Sequence, residues 1–222
     1  MKIQIPLLLS LCLIPASRAQ SPALEFQYRN GICQNQENRQ GHNPGHFGEC
    51  GLIEGMVFPN QILNPGARFM GARMRKIDLR KLSAENANFE RADLTEATLS
   101  GAELRGCNFT EARLDGASLD FGSNLEACNL ERVRATAAGF HSGNFRRAKM
   151  AGGKFRGSVF RDADLYLADL SFADLRDTDL RGADLATTDL FGSQLSGSFF
   201  NTFTRLPFDR AEAARLGMIF TP

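Results

Sequence analysis

The chain has 222 residues, with 26 Lys and Arg against 25 Asp and Glu and a formal net charge of +1. That balance excludes a global electrostatic pull toward nucleic acid or anionic membrane. No stretch after residue 20 is apolar for long enough to span a bilayer, and the absence of Trp beside 18 Phe suits a narrow apolar interior.

Residues 1–19 read as a secretory signal peptide. Met1-Lys2 is a short basic start, Ile3 to Ile14 is the apolar core, and Ser17-Arg18-Ala19 offers small residues for cleavage after Ala19. Lipidation at Cys12 is the alternative, but Leu11 is larger than the residue usual before a lipidated cysteine. The expected location is exported: periplasm, outer surface or secreted. Loss of the signal leaves four cysteines, an even number for an oxidising compartment.

Residues 20–49 read as an N-terminal cap loop, because Gly, Asn, Gln and charged residues dominate between Asn30 and Gly48. Cys33 and Cys50 bracket it, and a disulfide between them would stabilise the fold by about 3 kcal/mol. His42 and His46 lie between the two cysteines, so zinc is the alternative; the spacing matches no standard finger. Leu52, Val57 and Ile62 are five apart, and Asn64-Pro65-Gly66 then inserts two residues before Phe69, which suggests an irregular first coil over 50–66.

From Ala67 to about Asn201 the chain repeats every five residues, as in Ala87-Asn88-Phe89, Ala92-Asp93-Leu94, Ala163-Asp164-Leu165 and Ala183-Asp184-Leu185. Each unit has a small residue, a polar one, a large apolar one and two more that suit a turn. On an extended backbone the small and large residues point the same way and the polar one points out. One such unit buries almost nothing, so copies must coil and stack. Stacking four units per turn sorts the large residues into apolar columns, for example Leu99, Leu119, Phe140, Phe160, Leu180 and Phe200. Only Ala84 and Ala135 interrupt them, and one extra residue falls between Leu119 and Leu125.

This pattern resembles that of the pentapeptide-repeat family, A(D/N)LXX. The resemblance implies an all-β solenoid, a right-handed quadrilateral β-helix of stacked pentapeptide repeats, over 50–204. Four units per coil and the handedness come from the resemblance; periodicity shows neither. Gly143 and Gly153 at small positions, with Phe140, Phe145 and Phe155 at large ones, suggest volume compensation in the interior. Cys107 and Cys128 share an inward column. Free buried thiols are the first expectation and a strained bridge the second. Residues 205–222 read as a C-terminal cap with a short helix, N-capped by Asp209 with Glu212 three residues on, and stopped at Gly217.

On the outside, Glu85, Arg105, Glu126 and Arg146 alternate in sign as an ion-pair column, and Asn88, Asn108 and Asn129 suggest an amide ladder. Arg113, Arg134 and Lys154 stack with like charge, with Arg156 and Arg176 on the same face, which makes a candidate anion site. Tyr166, Leu167, Phe172 and Phe191 point outward and form a candidate protein interface. The Asp run 164, 169, 174, 179, 184 and 189 matches the family pattern and shows no arrangement for acid–base catalysis or calcium.

The sequence therefore points to a non-catalytic interaction or structural module that presents a rigid surface to a protein partner or to itself. No catalytic residue, metal or cofactor is expected, nor binding to nucleic acid. Two other readings compete. The first is a DNA mimic that binds topoisomerase, as the resemblance to some family members implies; export and the balanced charge count against it. The second is a carbohydrate-active β-helix enzyme using carboxylates such as Asp164 and Asp184.

Overall fold

The computed structural model describes residues 27–29, 32–34, 59–60, 62–63 and 65–222. β1 (Gln27–Arg29) and β2 (Ile32–Gln34) form an antiparallel ladder in which Arg29 faces Ile32. This corrects the expectation of loop throughout 20–49. Asn30-Gly31, a pair that two-residue hairpins favour, stands between the strands. The signal peptide, the Cys33–Cys50 bridge, the zinc alternative at His42 and His46, and Leu52 and Val57 lie outside the described residues, except for the backbone of Cys33 in β2.

From Ile62 onward the chain coils. Parallel bridges join the middle residue of each unit to the one 20 residues on, as Asn88 to Asn108 and Asp164 to Asp184. The step is 21 where a coil carries an extra residue, as from Glu103 to Asn124. Every fourth unit thus sits on its predecessor, and the bridges form four columns. Alternation along the backbone decides which side is buried. Ala87 and Phe89 are fully buried, and Asn88 between them faces out. At the start the register differs from the sequence expectation. Ile62 is 60% exposed and bridges Ser83, while Leu63 is buried. Among the described residues the first large inward one is therefore Leu63, and one extra residue, not two, precedes Phe69.

The unit Ala87–Arg91 shows where its backbone donors go. Ala87 N closes the preceding turn onto Ala84 O at 3.2 Å, Asn88 N reaches down to Ala67 O at 2.8 Å, and Phe89 N reaches up to Asn108 O at 2.7 Å. Arg91 N also reaches up, to Thr110 O at 2.9 Å. The remaining donor, Glu90 N, is taken by Asn88 Oδ1 at 2.9 Å. The polar residue in the middle of the unit is thus an Asx cap for its own turn. The same bond recurs at Asp93, Asn108, Asn129, Asp164, Asp169 and Asp189. Where the middle residue is Arg134 or Gly139, a carboxylate from the coil below substitutes: Asp115 accepts Thr136 N at 3.2 Å, and Asp120 accepts His141 N at 2.9 Å.

Inside, Phe69, Phe89 and Phe109 stack with centroids 4.8 and 4.7 Å apart. Higher up, Phe140, Phe145, Phe155 and Phe160 fill the section edge to face, with Phe140 and Phe160 stacked at 4.8 Å. The two glycines make room for these rings. A Cβ at Gly143 would stand 2.6 Å from the Phe145 ring and 3.1 Å from Phe140 O, and one at Gly153 would strike the Phe155 ring. Polar residues at small inward positions donate to carbonyls of the coil below: Ser123 to Leu99 O at 3.1 Å and Thr188 to Leu165 O at 2.8 Å. Cys107 and Cys128 are buried free thiols bonded in the same way, to Ala84 O and Leu104 O, each at 2.9 Å. Burial pushes the Cys128 thiol well up, away from the thiolate form.

The coil ends with Arg205, which bridges Asp184 across a third 21-residue step, made by the turn Asn201–Thr204. That last coil includes β3 (Phe199–Phe200); after it come α1 (Arg210–Arg215) and β4 (Ile219–Phe220), and β4 pairs parallel with β3. Asp209 Oδ1 accepts Glu212 N at 2.8 Å as the N-cap of α1. The Glu212 carboxylate turns to Arg215 at 3.1 Å, so only half of a capping box forms. Ala213 of the helix is buried over the last coil.

Gly143→Ala is expected to lower stability by about 1–3 kcal/mol through overpacking. Gly157→Ala, which has φ +69° and nothing within 4 Å of its Cβ, tests backbone strain alone and should cost about 1 kcal/mol. Denaturant unfolding of the two variants measures the difference; a cheaper Gly143→Ala would sink the packing argument.

Candidate functional site

The last position of most units sits at a corner in the left-handed region. Many corners use glycine there, but Leu167 (φ 56°) and Phe172 (φ 57°) do not. A bulky side chain in that region costs roughly 1–2 kcal/mol. Phe172 is nonetheless 63% exposed. One coil above it, Phe191 is 71% exposed, and the two rings meet edge to face with centroids 5.4 Å apart. Gly192 makes the approach possible, since a Cβ there would stand 2.8 Å from the Phe172 ring.

Of the four residues in the expected interface, the structure thus brings Phe172 and Phe191 together. Leu167 is exposed on the neighbouring corner. Tyr166 on that corner presents its ring face to Arg146, whose guanidinium carbon is 4.4 Å from the ring centroid. Two further exposed phenylalanines escaped the sequence reading, Phe121 (φ 61°) and Phe203. Both occupy one-residue insertions. Nothing in the five-residue period marks them; the 21-residue step does.

The candidate anion site stacks as expected, Arg113 on Arg134 on Lys154. Carboxylates interleave it. Asp115 lies 4.0 Å from Arg113 and 3.5 Å from Arg134, and Asp177 is 3.0 Å from Arg156. Asp174 takes Arg176 through two hydrogen bonds, at 2.8 and 2.7 Å, which hold its carboxyl below the usual range. The alternating column is corrected: Arg146 turns to Asp164 at 2.8 Å, and no ion pair links Glu85, Arg105, Glu126 and Arg146 among the described residues. The amide ladder is displaced as well. Asn88, Asn108 and Asn129 cap their own turns, and the amide-to-amide bond is from Asn144 to Asn124, at 3.2 Å.

Asp164 and Asp184, the pair a glycosidase would need, are both engaged. Each caps a backbone N–H, at 3.0 and 3.1 Å, and each holds an arginine, Arg146 and Arg205. With their oxygens committed to a turn and to a guanidinium, neither carboxylate is left facing the other across an open site.

Four stacked columns of parallel bridges around an apolar section define a quadrilateral β-solenoid. The family model of pentapeptide repeats matches residues 87–120, 144–182 and 168–202, in 8 copies. The repeat region of this chain belongs to the pentapeptide-repeat family, whose fold is the right-handed quadrilateral β-helix. No curated protein matches the sequence. Among solved structures, the chain is similar to HetL, a pentapeptide repeat protein involved in heterocyst differentiation regulation from the cyanobacterium Nostoc sp. strain PCC 7120. That match has 23% identity over 77% of this chain and 88% of HetL, with a TM-score of 0.55, and supports the shared fold. A second pentapeptide repeat protein from Nostoc PCC 7120 is 27% identical over 51% of this chain and 84% of its own, with a TM-score of 0.30. Trypsin-treated QnrB1, a plasmid-mediated fluoroquinolone resistance protein, is 21% identical over 68% and 72%, with a TM-score of 0.35. Among the described residues no helix is long and apolar enough to cross a membrane.

Asp179 gives a pH test of the outer pairs. Burial raises its carboxyl, but hydrogen bonds from Arg181 at 2.6 and 2.8 Å and from Arg161 at 2.8 Å outweigh that and bring it down to about 2. A carboxyl lowered in the folded state stabilises the fold above its unfolded value near 3.8, and that contribution is lost as pH falls toward 2. Asp179→Asn should therefore be less stable than the parent at pH 7, with the gap closing between pH 4 and 2. Unfolding curves across that range decide it; a gap independent of pH would refute the ionic origin.

Proposed function

We propose that the chain is an exported, non-catalytic module that offers a rigid β-helical surface to a protein partner. The observation that carries the reading is the Phe172–Phe191 pair. Two large rings stand in solvent on a rigid corner, one of them on strained backbone. Leaving such side chains uncovered forgoes roughly 1.5–3 kcal/mol each, and a contiguous apolar patch of this kind marks an interface. Export rests on residues 1–19, and the Cys33–Cys50 disulfide belongs to the same reading.

The anion site is the weaker surface, because Asp115, Asp174 and Asp177 already accompany most of its cations. A DNA mimic needs acidic charge along its whole length, whereas here the carboxylate excess is confined to the later coils.

Crosslinking in the native extracytoplasmic fraction, with the mass of the mature protein measured alongside, tests the proposal. The expected mass begins at Gln20, and the crosslinked adduct should disappear in Phe172→Ser/Phe191→Ser while the fold persists. An uncut chain in the cytoplasm would remove the export part. Adducts unchanged by the double substitution would remove the surface.

A further inference from the structure

Three departures from the repeat meet at the corner diagonally opposite Phe172 and Phe191: an inserted aromatic residue, a glycine in a middle position and a chain of side-chain hydroxyls ending on a carboxylate. Phe121 is the insertion, 79% exposed and at φ 61°. Asp120 stands immediately before it. Its Oδ1 accepts His141 N at 2.9 Å, and its Oδ2 accepts the Ser118 hydroxyl at 2.8 Å. Ser118 Oγ lies 2.8 Å from Ser100 Oγ on the coil below. Gly139 leaves room for the carboxylate, since a Cβ there would stand 2.5 and 2.6 Å from its two oxygens. No other described unit has glycine in its middle position. Turn capping does not require this arrangement: Asp115 serves Thr136 N beside Arg134, without a glycine or an inserted aromatic residue.

The adjoining face is neutral, with Thr98, Ser118, Gly139 and Val159 stacked over four coils. The charged side chains on its two flanking corners are committed to ion pairs, with one exception. Glu96 pairs with Lys76, Asp115 with Arg113 and Arg134, Arg156 with Asp177, and Arg161 with Asp179, while Asp162 lies 3.9 Å from His141. Asp120 is the exception, in no ion pair among the described residues.

We propose that this corner binds a neutral polysaccharide. A carboxylate offers about four acceptor sites, and Asp120 uses two, so two remain for neighbouring hydroxyls of one sugar ring. The hydroxyls of Ser100 and Ser118 both donate and accept, so a sugar extends a hydrogen-bond chain already in place. Phe121, with its Cα about 3.8 Å along the chain from that of Asp120, offers an apolar ring to the C–H side of the same sugar. An acidic ligand would be repelled by Asp120, and a cationic one finds only this single carboxylate. Small side chains at Ser118 and Gly139 let an extended chain lie across the face. The site is separate from the Phe172–Phe191 corner and adds a second contact to the module.

Calorimetric titration of the protein with cellohexaose, maltohexaose, chitohexaose and mannohexaose tests it. At least one of the four should bind with a Kd of about 0.1–1 mM. Phe121→Ser and Asp120→Asn should each weaken that binding at least about tenfold; the asparagine keeps an acceptor for His141 N. Gly139→Ala, which pushes the carboxylate aside, should do the same, with circular dichroism showing the coil intact. Phe172→Ser/Phe191→Ser should bind sugar as the parent does, so this outcome and that of the crosslinking experiment are read separately. Absence of binding by all four sugars at about 10 mM, or binding that a folded Phe121→Ser leaves unchanged, overturns the proposal. So does a pentalysine peptide that binds where the sugars do not, which would make the partner cationic.

Discussion

The corners of the fold depend on the side-chain cap that an Asp or Asn in the middle of a unit places on its own turn. Four of the five backbone donors in a unit are met by the coils above and below and by the turn closure. The fifth points along the corner and has no carbonyl to reach. Asp or Asn two residues earlier supplies the oxygen, as Asn88 does for Glu90. A net contribution of roughly 1 kcal/mol for one such bond is modest. The bond recurs wherever Asp or Asn holds the middle position, and no buried side-chain nitrogen or oxygen is left without a partner among the described residues. Coils with Arg134 or Gly139 in the middle position obey the same demand by borrowing Asp115 and Asp120.

That demand explains what could be read in advance. Period, inward columns and stacking follow from alternation and from the small–polar–large order, so the interior was legible down to Gly143 and Gly153 giving way to neighbouring rings. The Asp run was legible as part of the pattern, though its physical task, capping the turn, emerges only from the bond geometry. The first coil was misread by one residue. Ile62 and Leu63 are adjacent and both apolar, so composition could not say which one faced inward, and the turn after them carries an extra residue. The hairpin β1–β2 was missed because polar composition was weighed above the Asn30-Gly31 pair.

The outer surface was less legible for a different reason. Columns of charge are fixed by stacking, but the choice of partner within them is set by side-chain reach. Arg146 prefers Asp164 above it to Glu126, the acidic neighbour in its own corner column. Arg113 and Arg134 share Asp115, a residue at a turn position rather than in their stripe. Aromatic corners were easier to read, since a large apolar side chain at an outward position is conspicuous against a polar pattern. Pairing Phe172 with Phe191 needed only the coil register.

The extra residues at Phe121 and near Phe203 leave all four bridge columns unbroken. A coil of 20 residues and one of 21 are therefore interchangeable modules. Duplication or loss of a whole module in the gene would lengthen or shorten the rod by one rung while every corner kept its compass direction. The distance between two surface features along one corner is then quantised, and it behaves as a ruler whose divisions are counted in turns of the chain.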